Sequence, residues 1–192
     1  MSNWAGLAGL TDEELIARSK GGDKEAFGEL VSRYHGRVQA TAYRFCSDPH
    51  LAEDIAQETF IKIWRNLSRF RPGNFRSWMY RIAINTAIDY IRRTRPTVDI
   101  EDLPLAASGD NPEGAVLRLE HAQAIRRAVL RLPPHSRAAL ILREYEGLSY
   151  KEIAVALDIP LGTVMSRLNY ARNRLRADLA SLLEETHAPT NH

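Results

Sequence analysis

One stretch of the chain, residues 95–112, limits the possible folds more than any other feature. It carries three prolines and four acidic residues and shows almost no apolar periodicity. Such a composition is typical of a linker that packs against nothing in particular. We therefore predict two small domains in the 192 residues, 1–94 and 113–192, joined by a flexible acidic linker over 95–112.

Both predicted domains are helical. Thr11 and Glu14 have the spacing of a capping box, as do Ser149 and Glu152, and Asp48 precedes a proline at a first helical position. Apolar residues recur at three- and four-residue steps, and no segment shows the alternation expected of a strand. Helices are predicted over about 12–20, 23–46 (with a possible bend at Gly36), 49–67, 75–93, 112–131, 134–147, 150–157 and 161–183. The predicted fold class is all-α.

Charge is distributed unevenly along the chain, although the net charge is only +2. Residues 67–95 contain seven arginines and one acid, residues 160–177 contain four arginines and no acid, and the acidic stretch lies between them. Two separate basic segments predict two contacts with a polyanion such as nucleic acid. The alternative is that both are solvated helix faces without a ligand.

Several classes of protein are excluded by composition. No apolar run exceeds about five residues, so no bilayer-spanning helix is predicted. The first basic residue is Arg18, which does not fit the start of a signal peptide, and a cytoplasmic protein is expected. Cys46 is the single cysteine, and the six histidines lack metal-ligand spacing, so we expect no disulfide, metal or cofactor.

The segment from Gly147 to Leu168 has the pattern of a helix-turn-helix. Two helices flank a three-residue turn, and apolar positions such as Ile153 and Val164 can form a shared core. The second helix would enter the major groove of DNA. Its polar face carries residue types that bind base edges and phosphates: Thr163, Ser166, Arg167, Tyr170 and Arg174. The alternative is a plain helical hairpin with an arginine-rich outer face.

The helix that starts at Pro49 carries an acidic outward surface with one apolar residue. Its members are Asp54, Gln57, Glu58, Ile61 and Arg65, and the first four are the docking candidates. An isoleucine among acids is a candidate docking surface for a partner helix, although an ordinary solvated face would look similar. Asp54 and Glu58 could also serve as the carboxylate pair of a metal-dependent nuclease, but no third ligand accompanies them in sequence.

Aromatic residues alternate with arginines around the next helix. Phe70, Phe75 and Trp78 lie close in sequence to four arginines. Such a mixture suits unstacked single-stranded bases better than a closed duplex. The candidate nucleic-acid-binding residues of this segment are Phe70, Arg71, Asn74, Phe75, Arg76, Asn85, Thr86 and Asp89. Trp78 and Ile82 are expected to be core.

Both predicted domains of the chain resemble a known family. Residues 26–34, 52–64 and 75–93 look like region two of bacterial sigma factors, and residues 132–175 look like region four, including Gly-Thr-Val-Met-Ser-Arg-Leu at 162–168. Only these two regions are present, which is the pattern of the extracytoplasmic-function (group four) sigma factors. The resemblance covers about residues 11–95 and 113–180. The turn departs slightly from the commonest helix-turn-helix pattern, because it carries Asp158 where a glycine is often found.

The resemblance implies a fold and a function. The fold would be a region-two helical bundle and a region-four helix-turn-helix. The function would be that of a non-enzymatic subunit that binds core RNA polymerase, at its clamp helices and flap, and directs promoter-specific initiation, typically in a stress response. An anti-sigma factor is an expected partner, and the protein would associate with the nucleoid as part of the holoenzyme.

The resemblance also gives each candidate surface a role. The face of Thr163, Ser166, Arg167, Tyr170 and Arg174 would read the −35 element as duplex. The set from Phe70 to Asp89 would melt the −10 element and capture a single-stranded base. Asp54, Gln57, Glu58 and Ile61 would dock on the polymerase clamp. The main alternative is a free-standing helix-turn-helix regulator that binds duplex DNA as a dimer, which would leave the surfaces of residues 52–93 without a function.

Overall fold

The computed structural model describes residues 4–71, 73–93 and 112–180, and every regular element in these ranges is helical. The α-helices are α1 (Trp4–Leu7), α2 (Asp12–Lys20), α3 (Lys24–Cys46), α4 (Pro49–Asn66), α5 (Phe75–Arg93), α6 (Pro112–Leu130), α7 (Pro134–Glu144), α8 (Tyr150–Leu157) and α9 (Leu161–Asp178). A 3₁₀ turn, Leu67–Arg69, follows α4. The predicted all-α class is confirmed.

Side-chain caps set the helix starts where the sequence predicts them. Thr11 accepts a hydrogen bond from the backbone N–H of Glu14, and the Glu14 carboxylate accepts one from the N–H of Thr11. Asp48 caps α4, whose first residue is Pro49. The helix α3 runs without interruption through Gly36 and ends where Ser47 takes the left-handed conformation at φ 61°.

We call α1 to α5 the N-terminal half of the chain and α6 to α9 the C-terminal half. Helices α3, α4 and α5 pack together as the centre of the N-terminal half. Each contributes one apolar stripe, and the fully buried side chains include Phe45 from α3, Ile55 and Ile63 from α4, and Met79 and Tyr80 from α5. Burial of an aliphatic side chain of this size is worth roughly 1.5–3 kcal/mol. The packing fixes which side of α4 and which side of α5 remain available to partners.

Helices α7, α8 and α9 form the predicted helix-turn-helix and its support. Ser149 and Glu152 make the second capping box at the start of α8. Between α8 and α9, Asp158 takes the left-handed conformation at φ 54° and ψ 50°, which aspartate tolerates better than most residues other than glycine and asparagine. Asp158 therefore occupies the position at which a helix-turn-helix often has glycine, a residue that adopts this left-handed backbone conformation without strain.

The two halves of the chain share one apolar core. Leu148, Ile153 and Ala156 from the C-terminal half are buried in the same cluster as the residues of α3, α4 and α5. The α7 residue Arg137 is also buried, and its guanidinium donates to the carbonyl of Phe45 at 2.6 Å. The sequence left the relative placement of the halves open. In the structure, α8 packs against α5, and α7 packs against α3.

The predicted linker lies almost wholly outside the described residues, since the structure describes nothing between residues 93 and 112. Within the ranges that the structure describes, no helix is long and apolar enough to cross a membrane.

The capping box of α8 gives a test of the fold. Ser149→Ala removes the acceptor for the Glu152 N–H, which lies 3.3 Å from the serine oxygen. We expect a loss of about 1 kcal/mol of unfolding free energy and a fall in Tm of roughly 2–4 °C. Calorimetry and urea unfolding measure both. Ser149→Asp, which keeps a capping oxygen, is the control; equal losses in the two variants would contradict the assigned cap.

Candidate nucleic-acid interface

The helix α9 presents a broad polar face to solvent. Its buried stripe is Val164, Leu168 and Ala171, which pack against the rest of the C-terminal half. Of the five residues predicted to read duplex DNA, Ser166, Tyr170 and Arg174 are exposed, and Thr163 and Arg167 are half-buried at the edge of the stripe. The structure therefore places all five on one helix but not all on its most exposed side.

The centre of the exposed face lies between Ser166 and Asn169. At 100° per residue, this direction is opposite to the mean direction of the three buried side chains. Asn169 and Asn173 are both exposed, and the Asn173 amide donates to the Asn169 oxygen at 3.2 Å. Neither asparagine is among the five residues predicted from the sequence, which lie toward the arginine side of this face. Measuring from the apolar stripe alone would have found them.

The aromatic residues at the start of α5 form a cluster. The ring centroids of Phe70 and Trp78 are 4.9 Å apart, those of Phe70 and Phe75 are 5.8 Å apart, and Lys20 lies over the Phe70 ring. Phe70 is half-buried, whereas Phe75 is only 7 % exposed and also contacts Tyr34 edge-on. In this arrangement Phe70 has ring surface accessible to a ligand, and the buried ring of Phe75 packs against Phe70 on the side of the core.

Polar side chains next to this cluster already have partners. Asn74 caps α5 by accepting from the Ser77 N–H at 3.0 Å, and its amide donates to the Glu152 carboxylate at 2.6 Å. The Arg76 guanidinium donates to the carbonyl of Glu146 at 2.8 Å. Arg71 is exposed. Two of the predicted strand-binding donors thus contact the C-terminal half.

The remaining predicted residues of α5 separate into exposed and buried positions. Asn85 and Asp89 are exposed and lie one turn apart on the same side of the helix as Arg81. Thr86 is fully buried and accepts a hydrogen bond from the Lys62 ammonium at 3.1 Å. A base that reached this side of α5 would meet Asn85 and Asp89, and Thr86 would act only through Lys62.

The four predicted partner-docking residues share one surface of α4. Asp54 and Gln57 are exposed, Glu58 is half-buried beside Lys62 at 3.8 Å, and Ile61 is 44 % exposed. The predicted isoleucine in a charged surface is therefore present. Among the described residues, no group of three or more His, Cys, Asp or Glu side chains is placed to hold a metal ion, Asp54 and Glu58 included.

Burial changes the titration of groups that lie near these surfaces. It raises the pKa of the half-buried Cys46 thiol to about 11, so the thiol is not a reactive nucleophile near neutral pH. Burial also raises the pKa of the Tyr80 hydroxyl, which donates to the Glu146 carboxylate. The hydrogen bond from the Ser149 N–H lowers the pKa of Glu152, which keeps this carboxylate charged.

Known protein families match both halves of the chain. The model of Sigma-70 region 2 matches residues 30–97, which include α4, α5 and the aromatic cluster. The model of Sigma-70 region 4 matches residues 122–175, which include α7, α8 and most of α9. The order of the two regions is the one that the resemblance implies.

Individual relatives match over nearly the whole chain. The RNA polymerase sigma-H factor of Pseudomonas aeruginosa is 40 % identical over 186 residues, which cover 91 % of this chain and 96 % of that protein. The ECF RNA polymerase sigma-E factor of Haemophilus influenzae is 39 % identical, with 91 % and 98 % covered.

Solved structures agree with these matches. A structure of CnrH in complex with the cytosolic domain of CnrY has a TM-score of 0.68 and 28 % identity, covering 88 % of this chain and 97 % of that one. The sigma factor RpoE of Bartonella quintana, in complex with the anti-sigma factor NepR, has a TM-score of 0.63 and 26 % identity, covering 80 % and 96 %. The chain belongs to the sigma-70 family as an extracytoplasmic-function sigma factor, a subunit that binds core RNA polymerase and promoter DNA and directs transcription initiation.

Proposed function

We propose that the two halves of this sigma factor divide promoter recognition between them. Residues 1–94 bind the polymerase and capture the −10 strand, and residues 113–192 read the −35 duplex. The observation that supports this division is that each arginine-rich segment presents exposed base-binding side chains on one helix, Asn85 on α5 and Ser166 on α9. A free-standing dimeric regulator is not favoured, because it would use only the face of α9 and would leave that of α5 without a ligand.

The −35 role of α9 follows from its exposed face. A recognition helix contacts base edges with the side chains nearest the groove floor and contacts phosphates with those at its sides. Ser166 and Asn169 lie at the centre of the face, and an asparagine amide can bond both N6 and N7 of adenine. Tyr170 and Arg174 lie to one side, where Arg174 is also 3.3 Å from Asp178. Thr163 and Arg167 flank the face on that same side.

Asn169→Ala tests the base-reading role, with Arg174→Ala as its counterpart. We expect Asn169→Ala to relax the sequence preference at one −35 position by about 1–3 kcal/mol, because an adenine-specific pair is lost. Arg174→Ala should weaken binding evenly across sequences, because it removes a phosphate contact. Run-off transcription by core polymerase with each variant, on a library of promoter fragments, gives the preference at every position. Identical preferences in Asn169→Ala and the parent would contradict the assignment.

The −10 role of α5 follows from its stacking surface and its exposed amide. An unstacked base gains roughly 1–3 kcal/mol by stacking on an aromatic ring, which offsets the cost of removing it from the duplex. Phe70 offers such a ring, held in place by Phe75 and Trp78. Asn85 and Asp89 can read a base edge, and Arg71, Asn74 and Arg76 can bind the strand beside it. Thr86 contributes by positioning Lys62.

Asn85→Ala tests this strand-capturing site without disturbing the core, since Asn85 is exposed. We expect roughly tenfold less open complex with the holoenzyme, because a base-specific hydrogen-bonding group is lost. Fluorescence of 2-aminopurine in the −10 element reports strand separation. Asn169→Ala carries the same chemical change in the other half and, at saturating holoenzyme, should open the promoter normally. Equal opening by both variants would count against the −10 site.

The polymerase role of α4 depends on its exposed apolar residue. Ile61 can bury its side chain in a partner helix, while Asp54, Gln57 and Glu58 around it supply acceptors for basic or polar groups of the clamp. Ile61 lies on the outer side of α4, away from the core residues Ile55 and Ile63. Docking at this surface leaves the fold of the N-terminal half unchanged.

Ile61→Ser tests the docking surface. Loss of a buried isoleucine at an interface should lower affinity for core polymerase about tenfold or more. Ile125→Ser is a matched control, since Ile125 is exposed to a similar degree, 42 %, but lies on α6. Fluorescence anisotropy of labelled protein titrated with core polymerase measures both affinities. Equal affinities for the two variants would contradict the assignment of α4.

Two further roles rest on the relatives. The two solved structures described above are both complexes, and the Bartonella protein's partner is named as an anti-sigma factor. An anti-sigma factor that covers this chain would hold it inactive. The protein acts without catalysing a reaction of its own, as a cytoplasmic subunit that joins the nucleoid only within the holoenzyme.

A further inference from the structure

A glutamate outside both proposed DNA-reading sets joins the halves of the chain. Glu146 follows α7, and its carboxylate accepts hydrogen bonds from the hydroxyls of Thr41, at 2.7 Å, and Tyr80. Its main-chain carbonyl accepts from the Arg76 guanidinium at 2.8 Å. The donors come from α3 and α5, so one residue of the C-terminal half contacts two helices of the N-terminal half.

Two more acidic residues of the C-terminal half contact α5 or the asparagine that caps it. The Glu152 carboxylate accepts from the Asn74 amide at 2.6 Å, and the Asp158 carboxylate pairs with Arg81 at 2.7 Å. We call Glu146, Glu152 and Asp158 the acidic clasp. Between them they occupy Asn74 and Arg76, two donors that the proposed function assigns to the −10 strand, together with the neighbouring Arg81.

Apolar packing holds the acidic clasp in place. Ile153 and Ala156 of α8 are buried in the core that α5 contributes to, and Thr41 and Tyr80 are themselves buried. A strand that used the Asn74 amide and the Arg76 guanidinium would therefore have to displace Glu152 and the Glu146 carbonyl, which this packing holds in place. The exposed face of α9 is on another side of the C-terminal half, and Ser166, Asn169 and Tyr170 remain accessible.

We propose that this closed arrangement is a built-in inhibitor of the −10 site, in which the acidic clasp takes the place of the anionic promoter strand. The proposal rests on the −10 role of α5 given above. The Glu152 and Asp158 carboxylates and the Glu146 carbonyl satisfy the same amide and guanidinium donors that a nucleic-acid strand would use. Strand binding to these donors then requires α8 to leave α5 and α7 to leave α3, and the apparent affinity of the free protein for the strand falls in proportion to the fraction of molecules that are open.

The test weakens the acidic clasp without changing the proposed DNA or polymerase contacts. The double variant Glu146→Gln, Asp158→Asn removes two charges, and asparagine keeps the tolerance for the left-handed backbone at position 158. The matched control is Glu144→Gln, because Glu144 pairs at 2.9 Å with Arg172 inside the C-terminal half. Each protein is used as the full chain without polymerase.

Two readouts are needed. Small-angle X-ray scattering measures whether the halves separate, and fluorescence anisotropy measures binding of a labelled single strand that carries the non-template −10 sequence. We expect the double variant to have a larger radius of gyration and about five- to tenfold tighter strand binding, while its affinity for a −35 duplex is unchanged. Glu144→Gln should match the parent in all three measurements.

The outcomes separate this proposal from the function on which it rests. In one outcome the halves separate and Asn85→Ala impairs promoter opening by the holoenzyme, but the double variant binds the strand no more tightly than the parent. The proposed inhibition by the acidic clasp is then wrong, and the proposed −10 site stands. If the halves separate, the strand binds no more tightly and Asn85→Ala has no effect, the −10 site itself is wrong. If the double variant stays compact and binds like the parent, the acidic clasp does not hold the closed arrangement, and the proposal is overturned.

Discussion

The packing of α8 against α5 is the contact on which the arrangement of the two halves depends. Apolar burial of Ile153 and Ala156 drives it, but apolar contact alone would allow several registers. Glu146 favours one of them, because the buried hydroxyls of Thr41 and Tyr80 each require a hydrogen-bond acceptor. In the observed register, the half-buried Glu146 carboxylate accepts from both hydroxyls. The apolar core thus supplies the driving force, and the acceptor at Glu146 adds a polar preference for this register.

Helix limits were predictable because their causes are local. A capping box needs residues three apart, and both Thr11 and Ser149 cap as the sequence predicts. The start of α5 at Phe75 and the three-residue turn before α9 agree as well. The prediction that α7 continues to Gly147 was wrong: it ends at Glu144, and Tyr145 and Glu146 leave the helix. That early end lets Glu146 turn toward α3 and α5.

The segments that form the candidate sites are recognisable in the sequence, but the exposure of their individual side chains is not always predictable. Phe75 and Thr86 belong to a segment of the expected composition, yet packing buries both. The apolar periodicity of one helix shows which side faces the core, but it does not give the exposed fraction of each side chain. Asn169 was missed because the predicted polar face was placed toward the arginine side of the helix, away from the direction opposite to the buried stripe. The acidic clasp was out of reach altogether, because Thr41 and Glu146 are 105 residues apart and no local pattern connects them.

The surfaces left open by the closed arrangement indicate an order of events. Ile61 on α4 and the central face of α9 are both exposed while Asn74 and Arg76 are engaged by the C-terminal half. With the surfaces assigned as proposed above, polymerase and the −35 duplex can bind before the −10 site is free. A partner that binds the open form more tightly than the closed one shifts the equilibrium by that difference in affinity. A polymerase that holds α4 and α9 at a separation the closed form cannot reach would have such a preference, and assembly on the promoter would itself release the −10 site.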